Sequence, residues 1–172
     1  MIDFVRISIV VLLCFGTSGL FGQQQDTAST QNKEPYYTIT NSALDSLFET
    51  AKKYLGTKYV YGGSSEKGFD CSGFIYYVFK QYNIELSRSS SALSQIGIPV
   101  LINELQEGDL IFFKGRNANS KRVGHVSLVT CKTENSFEMI HATNRGVVVD
   151  LYDDMSYYKK RFLFARRFLK KE

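Results

Sequence analysis

The hydrophobic pattern changes period part-way along the chain, and this change constrains the fold more than any other feature. Leu44, Leu47, Phe48, Ala51, Tyr54 and Leu55 recur at helical spacing, as do Phe74, Ile75, Val78, Phe79 and Tyr82 further on. From Asp109 the sequence turns to short β-branched and aromatic runs: DLIFF, VGHVSLVTC, SFEMIHA, GVVVD and RFLFARRFL, separated by polar or glycine-containing turns. Helices first and neighbouring strands afterwards predict an α+β domain, with helices packed on an antiparallel sheet. Asn41 or Ser42 is expected to cap the first helix and Gly56 to close it. A second helix is expected to begin near Cys71, and a third to cover residues 90–96 ahead of Gly97. At 172 residues, 44% of them hydrophobic, the chain is long enough for one such domain with a buried core and a short appendage.

The appendage is at the N-terminus. Residues 7–15 (ISIVVLLCF) form an apolar run bounded by Arg6 and then by Gly16, Thr17, Ser18 and Gly19. That run is too short to span a bilayer and suits the core of a signal peptide over residues 1–22, cleaved after Gly19 or Gly22. Asp3 offsets Arg6 and weakens the charged leader. Export to the periplasm or cell envelope is the expectation. A lipoprotein reading would lipidate Cys14, but the large Leu13 stands where a small residue is needed. Residues 23–40 are polar, rich in Gln and Thr and aperiodic, so they read as a flexible linker to a domain over 41–172.

Basic side chains outnumber acidic ones by 21 to 17, a formal net charge of +4. This excess suits a polyanionic surface such as a bacterial wall and is too small to imply nucleic acid. No phosphate-cradling glycine loop is visible. The basic residues Lys159, Lys160, Arg161, Arg166, Arg167, Lys170 and Lys171 interleave with Phe162, Phe164 and Phe168. They read as solvated flanks of a strand with one buried face, with wall attraction as a secondary reading. Export leaves Cys71 and Cys131, an even pair that an oxidising compartment could join. Cys131 ends an apolar strand pattern and is read instead as a small buried hydrophobe.

Cys71 has a more specific setting, Gly68-Phe69-Asp70-Cys71-Ser72-Gly73-Phe74. At the first turn of a helix, unpaired N–H groups and the positive end of the dipole favour an anion, so a lowered thiol pKa is expected there. The competing reading is a core cysteine with Asp70 as a plain helix cap. The chain has only two histidines, His125 and His141, both on apolar strand patterns where an ionisable ring needs a hydrogen bond. On adjacent antiparallel strands they would meet facing the same way. A cysteine, a base and a group that orients the base make an activated nucleophile. No C-x-x-C or H-x-x-x-H spacing suggests a metal, and no cofactor is expected.

The motifs YLGTKYVYGG, GFDCSGFIYYVF, LSRSS, LQEGDLIFF, GHVSLV, IHA and ARR, in this order over nearly all of residues 42–168, resemble the NlpC family of cell-wall cysteine peptidases. The resemblance implies a papain-like α+β fold with the cysteine helix packed on a sheet that carries both histidines. It implies hydrolysis of amide bonds in peptidoglycan stem peptides, commonly between D-glutamate and the following diamino acid. A monomer is the expectation. By position Cys71 matches the nucleophile, His125 the general base and His141 the group that orients it. Tyr59 matches a tyrosine that contacts substrate or helps stabilise the oxyanion, and Asp70 and Ser72 match residues lining the pocket for the stem peptide's amino end. Arg88 matches an arginine whose simpler reading is a salt bridge holding its loop. Ser87, Glu107 and Tyr61 depart from the family's usual residues, and Tyr61 bears on the cleft wall. An amidase or acyltransferase on a related fold, or a wall-binding protein without catalysis, are the rival readings.

Overall fold

The computed structural model describes residues 36–172. The segment expected to be a signal peptide, Cys14 and most of the expected linker lie outside the described residues. In chain order the elements are β1 (Tyr37–Ile39), α1 (Asn41–Lys52), β2 (Ser64–Ser65), β3 (Gly68–Phe69), α2 (Cys71–Lys80) and α3 (Ser90–Leu93). There follow β4 (Ile98–Val100), β5 (Leu110–Lys114), β6 (Val123–Lys132), β7 (Phe137–Thr143), β8 (Gly146–Leu151), α4 (Ser156–Lys159), β9 (Phe162–Arg167) and β10 (Leu169–Lys171).

The expected strands all appear, joined in one six-stranded sheet of order β4-β9-β5-β6-β7-β8 whose pairings are all antiparallel. Their alternation divides the core between two faces. Leu110 and Phe112 of β5, Val126 and Leu128 of β6, and Ile140 and Ala142 of β7 pack with Leu44 and Leu47 of α1 and with Phe74, Ile75 and Val78 of α2. Ile111, Phe113, Val129 and Met139 form a second cluster with Tyr152 and Tyr158. The helices therefore cover one face, and the segment containing α4 covers the other.

Local differences from the sequence reading have identifiable causes. Thr40 caps α1, one residue ahead of the expected Asn41, and its hydroxyl accepts from the Ala43 N–H. Helix α3 ends at Leu93 instead of reaching residue 96, because Gly97 at φ +77° turns the chain into β4, which no periodicity announced. Arg166 and Arg167 are not free solvated cations. Arg166 donates to the Ser94 carbonyl, and Arg167 pairs through both ends of its fork with Asp109, a carboxylate with only 1% of its side chain exposed. That pair ties the last long strand to the turn before β5. Cys131 is half-buried, not fully buried, and both it and Cys71 are free thiols.

Order also begins earlier than Asn41. Strand β1, inside the segment read as linker, pairs in parallel with β10, and the Tyr37 hydroxyl donates to the Glu85 carbonyl at 2.8 Å. Ile39 is buried beside Leu169 in the first core cluster. Three residues were too few to show a period in the sequence. A chain beginning at Asn41 is expected to melt roughly 5 °C below one beginning at Lys33, through lost burial of Ile39 and the lost strand pairing. Equal melting temperatures in calorimetry would show that β1 contributes nothing.

Candidate active site

The Asp70 side chain caps α2 and organises the segments around Cys71. Its Oδ1 accepts from the Gly73 N–H at 2.7 Å, and its Oδ2 from the Gly62 N–H at 2.9 Å. Arg88 grips the same carboxylate through both nitrogens, at 2.8 and 2.9 Å, and donates to the Gly63 carbonyl and the Ser72 hydroxyl. Gly73 is required by contact, since a Cβ there would lie 2.0 Å from the Gly63 oxygen. Asp70, Ser72 and Arg88 thus form one network that holds the N-terminus of α2 against the 59–70 loop. Both Asp70 oxygens are occupied within the protein, and Ser72 is buried. Arg88 sits where its loop-holding reading put it. Tyr59 is carried on the same loop, bridged to Phe69 of β3, with 38% of its surface exposed.

The histidines come from the sheet. His125 faces Phe113 across β5–β6, beside a bulge between Phe113 and Lys114. There the backbones of Gly115 and Gly124 pass so closely that a Cβ on Gly124 would lie 2.5 Å from the Gly115 Cα. A bulge at this point re-aims the side chain next to it. His125 Nε2 and His141 Nδ1 are 2.8 Å apart, and His141 Nε2 lies 2.9 Å from Asp150 Oδ2, which also accepts from Arg145. The Tyr158 ring stacks on His125 at 5.3 Å and leans on His141 at 4.9 Å. One residue beyond His125, the Val126 backbone N–H lies close enough to the Cys71 thiol to pull its pKa down. Cys71 and the two histidines are therefore neighbours at this point of β6.

The electrostatics correct one expectation. Burial pushes the Cys71 thiol up, and the Asp70 charge adds to this, against the pull of the N–H groups of Val126, Ser72 and Cys71 itself. The helix N-terminus does act in the expected direction, but desolvation outweighs it. Burial drives His125 well below its ordinary value, with His141 adding to the effect. Burial also lowers His141, partly opposed by the bond it donates to Asp150. Asp150 is held below the usual carboxylate range by its bond to His141, with Arg145 contributing. The resting site is thus a neutral thiol beside two neutral imidazoles, with one buried carboxylate behind them.

A cleft of about 480 Å³ opens beside His125, bounded by Tyr59, Tyr158, Lys114, Arg116 and Arg145. Tyr61 stands on the protein surface with 92% exposure. Among the described residues no three His, Cys, Asp or Glu side chains are grouped to hold a metal ion. Asp150 and Tyr158 are the members the sequence reading missed. Asp150 ends the GVVVD run, and a lone acid on an apolar strand was the available signal. Tyr158 lies in the short α4, which has no period to detect.

The NlpC/P60 family model matches residues 56–167. The chain belongs to the NlpC/P60 family. It is 34% identical over 132 residues to a γ-D-glutamyl-L-lysine dipeptidyl-peptidase from Bacillus cereus, an alignment covering 76% of this chain and 38% of that protein. It is 38% identical over 127 residues to a Haemophilus influenzae protein named as a probable endopeptidase, covering 73% and 74%. A crystal structure of a Bacillus cereus NlpC/P60 protein superposes with a TM-score of 0.66 at 34% identity, over 74% of this chain and 40% of that one. The NlpC/P60 domain of the peptidoglycan hydrolase SagA superposes at 0.59 with 26% identity, over 73% of this chain and 98% of that one. The family's papain-like α+β fold is thereby shown, with the Cys71 helix on the antiparallel sheet.

Neutral histidines, His141 buried and His125 partly so, make stability depend on pH with a definite sign. The unfolded chain titrates them near 6.5, whereas the folded chain binds those protons only at lower pH. Stability is therefore complete above about 6.5 and lost as pH falls below it. Melting temperature should decline from pH 7 to pH 5, and less steeply in His125→Gln. A flat profile, or an equal slope in that variant, would overturn the assignment of a neutral His125.

Proposed function

We propose that this chain is an exported cysteine endopeptidase that hydrolyses amide bonds of peptidoglycan stem peptides, at the bond between γ-D-glutamate and the diamino acid. The observation that carries the reading is the His125–His141 hydrogen bond, set on β6 one residue from the N–H that lies close to the Cys71 thiol. Family membership supports amide hydrolysis in the wall. The γ-D-glutamyl-L-lysine specificity in the name of the Bacillus cereus relative supports the choice of bond. Lys114 and Arg116 on the cleft wall, with no carboxylate partner among the described residues, favour peptides that carry free carboxylates. The apolar run at residues 7–15 supports export to the periplasm or envelope, and among the described residues no helix is long and apolar enough to cross a membrane.

In this mechanism His125 removes the Cys71 proton through Nδ1, the ring nitrogen not committed to His141, as sulfur attacks the scissile carbonyl. The tetrahedral oxyanion is received by the Cys71 backbone N–H and the Tyr59 hydroxyl. Collapse breaks the C–N bond, and His125 returns the proton to the departing amine, leaving a thioester. Water, deprotonated by His125, then releases the acyl peptide and restores the thiol. Proton transfer between neutral partners at the moment of attack suits the resting electrostatics of the site.

Stem peptides digested with the enzyme and weighed by mass spectrometry test both the activity and the bond. Cys71→Ala should abolish cleavage while Cys131→Ala retains it. Cleavage by the Cys71 variant would sink the reading. His125→Asn and His125→Ala should be comparably severe, losing on the order of 10²- to 10⁴-fold in rate. His141→Asn, which can still accept a bond from His125, should keep clearly more activity than His141→Ala. If His141→Asn is as inactive as His125→Ala, the two histidine roles are exchanged.

A further inference from the structure

Asp150 takes no part in the sequence pattern of nucleophile, base and orienter, yet it is the terminus of the hydrogen-bond chain that ends at His125. Its carboxylate is buried, with 8% of its side chain exposed, and its Oδ2 receives both His141 Nε2 and the Arg145 guanidinium. An ionised carboxylate has only acceptors to offer. His141 must therefore carry a proton on Nε2. His141 is fully buried against Tyr158 and neutral, so it carries one proton only, and its Nδ1 is a bare acceptor. That nitrogen lies 2.8 Å from His125 Nε2, which must then be the donor. A neutral His125 protonated on Nε2 has its lone pair on Nδ1.

We propose that Asp150 is a positioning residue that dictates the tautomer of both imidazoles in succession, and so leaves the Nδ1 lone pair of His125 free to take the Cys71 proton. Without the carboxylate, His141 could equally well carry its proton on Nδ1 and donate to His125, which would place the His125 proton on Nδ1 and disable the base. When His125 becomes imidazolium during attack, its Nε2–H donates to His141, and the Asp150 charge polarises His141 to receive it. No proton need leave His141, and no atom of Asp150 reaches the substrate. The bond from His141 does most to keep Asp150 ionised, and Arg145, half-exposed at the cleft rim, adds a counter-charge. The inference rests on the catalytic reading of Cys71 and His125 for its consequence, but the tautomers themselves are a property of the resting protein.

With only two histidines in the chain, selective ¹⁵N labelling of the imidazoles gives an assignable spectrum. In the full chain near pH 7.5 both rings should show a protonated Nε2 and a bare Nδ1. Asp150→Asn keeps an acceptor oxygen for His141 and Arg145 and should preserve that pattern. Asp150→Leu removes the acceptor at similar size. There both rings should lose the single tautomer, and kcat on a stem peptide should fall about 100-fold with KM changed less than about twofold. A wild-type His125 protonated on Nδ1 would overturn the proposal, as would an Asp150→Leu enzyme with unchanged tautomers and kcat. Should that variant not fold, the wild-type spectrum decides alone. If the spectrum is as expected and no stem peptide is cleaved, the catalytic reading fails while the tautomer assignment stands.

Discussion

One carboxylate, that of Asp70, joins three segments distant in sequence. It caps α2, receives the Gly62 N–H of the preceding loop, and is gripped by the Arg88 fork from the segment beyond the helix. Each bond satisfies a donor that would otherwise be orphaned at a helix end or in a partly buried loop. Because the cap and the ion pair share the same two oxygens, the position of the loop bearing Tyr59 and the position of Cys71 are set together. Removing any partner would leave the others with unmatched polar groups, and such losses exceed what each contact adds alone.

The sheet supplies the second half of the arrangement through its two faces. Side-chain alternation sends Val126 toward α2, while His125 stacks with Phe113 and Tyr158 of the opposite cluster. Cys71 and His125 thus belong to different halves of the core and come together at one point of β6. Placing two imidazoles in that apolar cluster has a cost, because burial disfavours their charged forms. The chain His125–His141–Asp150–Arg145 offsets it by giving every ring nitrogen except His125 Nδ1 a partner, and by leading the charge out to the rim of the cleft. The resting electrostatic setting is that of a neutral thiol and a neutral imidazole, not of a thiolate held at a helix terminus.

Much of the fold was readable because its long elements carry strong periods. The runs DLIFF, VGHVSLVTC, SFEMIHA, GVVVD and RFLFARRFL became β5 to β9 and the start of β10 with boundaries moved by a residue or so. Most elements of three or four residues were invisible, α3 excepted. β1 and β4 have too few positions to show alternation, and α4 is a single turn, so each is held by tertiary pairing instead of by its own pattern. In the site, Cys71, His125 and His141 stood out by residue type and local context. Asp150 did not, because its meaning depends on the β7–β8 register, which sets Val148 opposite His141 and Asp150 opposite Met139.

The sequence by itself determined the α+β class, the helix that begins at Cys71, the strands that carry the two histidines, and membership of a peptidase family through motifs in a fixed order. These are local properties, written in periodicity, capping residues and short spacings. Only the tertiary structure decided that Asp70 and Ser72 join Arg88 in one network at the start of the helix, that burial raises the Cys71 thiol, and that Asp150 stands behind His141. Those outcomes depend on how much water each group loses and on which lone pair meets which proton. Desolvation and hydrogen-bond direction are set by neighbours brought from other parts of the chain, so no reading of a single segment contains them.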